Sequence, residues 1–133
     1  MTHQLSTARI VNGIIKKPMH DILTVGITFD TKNDFKFTGA EPWDWDAEFA
    51  VSMAVDDISR ALEDLGHKTI LIGSGASLLD NFSKYKDQVD IIFNIAEGRF
   101  GRSREAQIPA LLEMAEIPFV GSDAYALSLG LNK

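Results

Sequence analysis

Residues 89–123 read VDIIFNIAEGRFGRSREAQIPALLEMAEIPFVGSD, and this stretch decides the fold. It opens on a short β-branched apolar run, Val89-Asp-Ile-Ile-Phe-Asn94, the pattern of a strand buried on both faces. A loop turning on Gly98 and Gly101 follows, then a helical pattern over 108–115. Pro109 fits that helix only in its first turn, where its missing N–H costs nothing. Ile117-Pro-Phe-Val120 is a second short strand, and Ser122 or Asp123 is placed to cap a helix over 124–131. Strand, helix, strand, helix in immediate succession is the signature of a parallel sheet with covering helices.

The same alternation extends upstream. Ile22-Leu-Thr-Val-Gly-Ile-Thr-Phe29 is a nearly continuous apolar run and reads as a buried strand. A long polar loop, 30–45, follows, broken by Gly39 and Pro42. Residues 46–65 form an amphipathic helix, with Ala47, Ala50, Val51, Ala54, Ile58, Ala61, Leu62 and Leu65 at helical spacing. Asp44 or Asp46 caps its start, and Gly66 stands where a left-handed residue ends a helix. Residues 69–72 make another strand and 77–84 a short helix. Residues 1–21 read as an irregular leader, with a short strand at 9–15. Residues 22–133 thus form one α/β unit: a three-layer, doubly wound, mostly parallel sheet of four to five strands with right-handed crossovers. Ligands of such sheets bind beyond the carboxyl ends of the strands. The segments expected there are 30–48, 73–77, 96–105 and 121–123.

Bulk properties narrow the function. At 133 residues and 45% apolar composition, one self-sufficient core is expected. No cysteine is present, which excludes disulfides, thiolate metal sites and thiol nucleophiles and suits a cytoplasmic setting. The net charge of −6 argues against nucleic acid as a partner. No apolar run has the length of a membrane span, and no signal-peptide core stands at the start.

The loop 94–105 is the richest in chemistry. Its glycines let backbone N–H groups approach a ligand, and Arg99, Arg102 and Arg104 add charge-assisted donors. That pattern fits a small anionic group. It equally fits a solvated ion-pair surface with Glu97 and Glu105. Gly73-Ser-Gly-Ala-Ser77 lacks the third glycine of a dinucleotide fingerprint and the lysine of a P-loop, so a turn ending in a serine cap explains it. Asp44-Trp-Asp-Ala-Glu48 lacks the glycine and glutamate that complete a calcium loop, and no metal site is expected. Trp43 and Trp45 read as packing residues, and His3, His20 and His67 as exposed and non-catalytic.

Several of these motifs, in order, resemble the N-terminal domain of D-alanine–D-alanine ligases. Leu111-Leu-Glu113, Ile117-Pro-Phe-Val-Gly-Ser122 and Leu131-Asn-Lys133 match that family's Leu-Leu-Glu, Ile-Pro-Tyr-Thr-Gly-Ser and Asp-Lys at near-correct spacing. Upstream, Ala47-Glu-Phe-Ala-Val-Ser52 matches Ala-Glu-x-x-Val-Ser. The resemblance implies an ATP-grasp carboxylate–amine ligase. Its N-terminal domain would bind an amino-acid substrate and form a homodimer contact, while ATP and magnesium would sit between two further domains. It also implies that this domain alone binds no cofactor, holds no catalytic residue and does not ligate, since the chain stops where the ATP-binding domains begin. By position, Glu48 would hold the ammonium group of the first substrate, Glu97 and Gly98 would occupy the family's His-Gly turn, and Ser122 would face the site. Arg99, Arg102 and Arg104 complete the candidate substrate-binding set. Two departures stand out: Glu97 replaces the histidine, and Arg102 and Arg104 stand where the family is acidic. The alternative is a free-standing α/β module for small-molecule binding or dimerisation. A phospho-receiver is disfavoured, because Asp30 has no adjacent acid and Val120-Gly-Ser122 offers no lysine after the last strand.

Overall fold

The structure, a computed structural model, describes residues 22–30, 52–73 and 75–130, together with the backbone of two short strands at 9–11 and 14–16. Those two strands, β1 (Arg9–Val11) and β2 (Ile14–Lys16), pair antiparallel as a hairpin. The rest is a parallel α/β unit. In chain order it runs β3 (Thr24–Thr28), α1 (Ser52–Asp64), β4 (Lys68–Leu71), α2 (Leu78–Tyr85), β5 (Ile91–Asn94), α3 (Gln107–Met114), β6 (Phe119–Val120) and α4 (Ala124–Gly130).

The sheet order is β4-β3-β5-β6, with every pairing parallel. The expected doubly wound parallel sheet is therefore present, with four strands among the described residues. Its centre is the β3–β5 pair, registered Val25 to Ile91 through Thr28 to Asn94. From β3 the chain leaves toward β4 on one side, and from β5 toward β6 on the other. The carboxyl ends of β3 and β5 thus flank a switch point, where a crevice is expected.

Helices cover both faces. Ile72, Leu78, Phe82, Ile92, Ala96, Ile108 and Leu112 form one buried cluster, so α2 and α3 share a face, and Ile70 of β4 packs against it. Successive strand residues point to opposite faces. Thr69 therefore faces the other way, and there its hydroxyl meets Ser59 of α1 at 2.7 Å and donates to Glu63 at 2.6 Å. Val55, Val25 and Ile27 are also buried. Gly26 lets the core close: a Cβ there would lie 2.5 Å from Ile92 Cδ1 and 2.7 Å from Ile72 Cδ1.

Helix ends follow the sequence with local differences. Gly66, at φ +88°, closes α1: His67 N–H donates to Leu62 O and Gly66 N–H to Glu63 O, the paired bonds of a left-handed C-terminal cap. Asp123, rather than Ser122, caps α4 by accepting from Ala126 N–H at 2.8 Å. Ser77 makes no side-chain capping bond to α2; a short 3-10 turn, Gly75–Ser77, feeds that helix instead. His67, expected to be exposed, is half-buried, and its Nδ1 accepts Leu23 N–H at 3.3 Å. The start of the helix expected from residue 46 lies outside the described residues.

Candidate functional site

The site is built from the two central strands outward. Thr28, the last residue of β3, is fully buried and donates its hydroxyl to Asn94 Oδ1 at 2.7 Å, tying the ends of β3 and β5 together. The same Asn94 oxygen accepts Ala96 N–H at 3.2 Å and starts the loop in a fixed direction. Two residues beyond Thr28, the fully buried Asp30 accepts Glu97 N–H at 2.5 Å and Gly98 N–H at 3.1 Å. A buried carboxylate must be solvated by donors, and charge-assisted bonds of this type are about twice as strong as neutral ones. Asp30 therefore clamps the loop after β5 from 67 and 68 residues away in sequence.

The far end of the loop is held by Gln107, the first residue of α3. Its Oε1 accepts Arg99 N–H at 3.1 Å, and its Nε2 donates to Phe100 O at 2.7 Å. Between the two clamps, Gly98 at φ +76° passes so close to Arg104 that an added Cβ would lie 1.9 Å from its carbonyl oxygen. Only glycine fits both the dihedral and the gap.

This loop separates two cavities. One, of about 130 Å³, is lined by Asn94, Ile95, Ala96, Glu97, Glu105, Gly121, Ser122 and Leu127, at the carboxyl ends of β5 and β6. Within it, burial pushes the Glu97 carboxyl up to about 7, helped by the charges of Glu105 and Asp30 and by a hydrogen bond to Glu105. Near neutral pH the Glu97 carboxyl thus exists in both its protonated and its ionised form. The other cavity, of about 210 Å³, is lined by Gly75, Leu78, Leu79, Gly98, Arg99, Gln107, Ile108 and Leu111.

The candidate set is thereby divided. Glu97 and Ser122 meet in the smaller cavity, and Gly98 and Arg99 line the larger one. Arg102 is exposed, Arg104 is half-buried, and neither lines either cavity. Glu48 lies outside the described residues, as do Trp43, Asp44, Trp45 and Asp46. Among the described residues, no group of three or more His, Cys, Asp or Glu side chains is arranged to hold a metal ion. The sequence reading missed Thr28, Asn94 and Gln107 and gave Asp30 no role in this loop. The one signal for Asp30 is its place just past a buried strand.

Fold and crevice define a doubly wound α/β domain with a small polar cavity at its carboxyl edge. Known proteins sharpen that class. Over 88 residues the chain is 32% identical to the D-alanine–D-alanine ligase of Rickettsia peacockii, covering 65% of this chain and 26% of that enzyme. Over 76 residues it is 36% identical to the D-alanine–D-alanine ligase of Syntrophotalea carbinolica, covering 57% and 24%. It is also 34% identical over 73 residues to the uncharacterized protein y4sG of Sinorhizobium fredii, covering 50% and 22%. No model of a known protein family matches the chain. The chain is thus related to D-alanine–D-alanine ligases, and the match spans about a quarter of their length. No helix among the described residues is long and apolar enough to cross a membrane.

Proposed function

We propose that this chain is the amino-acid-binding, N-terminal domain of a cytoplasmic ATP-dependent carboxylate–amine ligase of the D-alanine–D-alanine ligase type. The observation that carries the reading is the cavity uniting Asn94, Glu97, Glu105 and Ser122 at the carboxyl edge of the sheet. Its volume suits a small substrate. Its carboxyls favour an ammonium group, and Ser122 is the hydrogen-bonding partner for the substrate's other end. Glu48 holds the ammonium of the first substrate, as the resemblance implies. Arg102 and Arg104 guide the anionic end from the loop's outer side. ATP and magnesium are held by parts of the ligase outside this domain, which alone does not ligate. Two copies of the domain form the homodimer contact.

The test has two arms. Titration of the chain with D- and L-amino acids, followed by amide chemical shifts, should move Glu97, Gly98 and Ser122 in a saturable way. ADP release by the product of the intact gene should depend on the same amino acids. Binding without ADP release would favour the alternative of a non-catalytic binding module. No shift with any amino acid, and no amino-acid-dependent ADP, would end both readings. Glu48→Gln in the intact protein should weaken the first substrate at least tenfold; unchanged affinity would remove Glu48 from the site.

A further inference from the structure

The loop after β5 has the glycine-rich composition of an anion cradle, yet its backbone donors are engaged within the fold. Ile95 N–H donates to Thr28 O, Ala96 N–H to Asn94 Oδ1, Glu97 and Gly98 N–H to Asp30, and Arg99 N–H to Gln107 Oε1. A backbone nest for an anion needs successive N–H groups open to it, and the amides of residues 95–99 are all taken. Among the described residues, no lysine or arginine lines the smaller cavity. Its wall carries instead Glu97 from the loop, Glu105 from the short turn Arg104–Ala106, and the neutral hydroxyl of Ser122.

We propose that this cavity admits only the cationic end of its ligand, Glu97 and Glu105 together selecting a small primary ammonium group while any carboxylate stays outside. The inference rests on the reading of this cavity as the amino-acid site, and it names the half of the amino acid that is recognised there. Charge decides the sign. Two carboxyls in one partly desolvated cavity repel each other; an ammonium relieves that repulsion, and an anion adds to it. The other acids nearby are committed to amides. Asp30 accepts two from the loop, and on the α4 side Glu113 and Asp123 accept the N–H groups of Ala124 and Ala126. Arg104, in the same turn as Glu105, does not line the cavity. Volume sets the size. A dry cavity of roughly 150 Å³ accepts a benzene ring, so about 130 Å³ suits a short aliphatic amine. A consequence follows for protons. Glu97 holds its proton up to about 7, so near neutral pH an arriving ammonium displaces that proton to solvent. Affinity for the amine therefore rises as Glu97 ionises.

Isopropylamine is the cationic probe and isobutyrate the anionic one; D-alanine carries both charged groups on the same branched carbon. Titrated into the chain at constant ionic strength, isopropylamine should shift the amides of Glu97, Glu105 and Ser122 saturably, and isobutyrate should not. Between about pH 6 and pH 8 the amine stays charged, and its affinity should rise roughly five- to tenfold. Calorimetry in buffers of different ionisation heat should record the released proton. Glu97→Gln should weaken isopropylamine several-fold and remove the pH dependence. Glu105→Gln should weaken it comparably and move the midpoint of the pH profile downward, which loss of a merely structural contact would not do. Isobutyrate binding as tightly as isopropylamine, or an isopropylamine affinity independent of pH, overturns the proposal. A saturable shift with D-alanine and none with isopropylamine overturns it while leaving the amino-acid reading in place. Isopropylamine binding without binding of any amino acid leaves the cation site standing and ends that reading instead.

Discussion

At the scale of single residues, two positions in one loop carry opposite kinds of constraint. Gly98 is constrained by space and dihedral together. Alanine there must adopt φ +76° and drive its methyl into Arg104 O, a backbone atom that cannot swing aside. We expect Gly98→Ala to cost about 2–4 kcal/mol, the sum of left-handed strain and overpacking, in denaturant unfolding. A loss below about 1 kcal/mol would mean that the loop relaxes freely. Glu97 is constrained by charge. Its carboxyl titrates near 7, above its ordinary value, because burial and two neighbouring carboxylates disfavour ionisation. The folded state therefore holds a proton that the unfolded state has released between about pH 4.5 and 7. Stability should fall as pH rises through that window and level off above it. The side chain is half-buried, so solvent screening reduces the effect to about 1–2 kcal/mol. Glu97→Gln keeps the hydrogen-bonding shape without the charge. The stability difference between wild type and this variant should change across that window by the same amount; a difference independent of pH would refute the assignment.

At the scale of elements, helix ends show what a sequence reveals and what it hides. Gly66 was legible because glycine after an amphipathic run is the ordinary left-handed cap. Glu116 was not. It takes the same role after α3: its φ is +56°, its N–H donates to Glu113 O at 3.1 Å, and Ile117 N–H donates to Leu112 O at 3.0 Å. Nothing in a glutamate announces that conformation, and only the chain's need to turn from α3 into β6 imposes it. Glu116→Gly should relieve the strain and stabilise the domain by about 1 kcal/mol. That corresponds to roughly 3–5 °C in Tm for a domain of this size. An unchanged or lower Tm would show that the glutamate side chain compensates. Gln107 was hidden for a similar reason. As the first residue of an amphipathic helix it reads as a surface position, yet its amide bridges Arg99 and Phe100. The hairpin β1–β2 shows the reverse case. Asn12-Gly13, the sequence between its strands, is a strong hairpin signal that the reading of a single strand at 9–15 passed over.

At the scale of the whole molecule, the alternation of strands and helices was legible because burial on both faces leaves apolar runs such as 22–29, which no loop needs. The joining of distant residues was not. Asp30 reaches Glu97 across 67 residues, and Thr28 reaches Asn94 across 66, through polar side chains with no local periodicity to betray them. These bonds place the candidate site at the most firmly held part of the fold. β3 and β5 are paired on both sides, and Ile27 and Ile92 are fully buried. The periphery differs. α4 has seven residues, none of them buried, and an isolated helix that short is unstable in water. Its first amides rely on Glu113 Oε1 and Asp123 Oδ1, both exposed. Stability should therefore be graded across the sheet. Hydrogen exchange should find the Ile27 and Ile92 amides opening only with global unfolding. The amides of α4 should open locally, at least a hundredfold more often. Ser122 and Leu127 line the amino-acid cavity from this weaker side. Ligand binding there should accordingly protect α4 far more than β3. Uniform protection across β3, β5 and α4 before ligand is added would show that the cavity has no mobile wall.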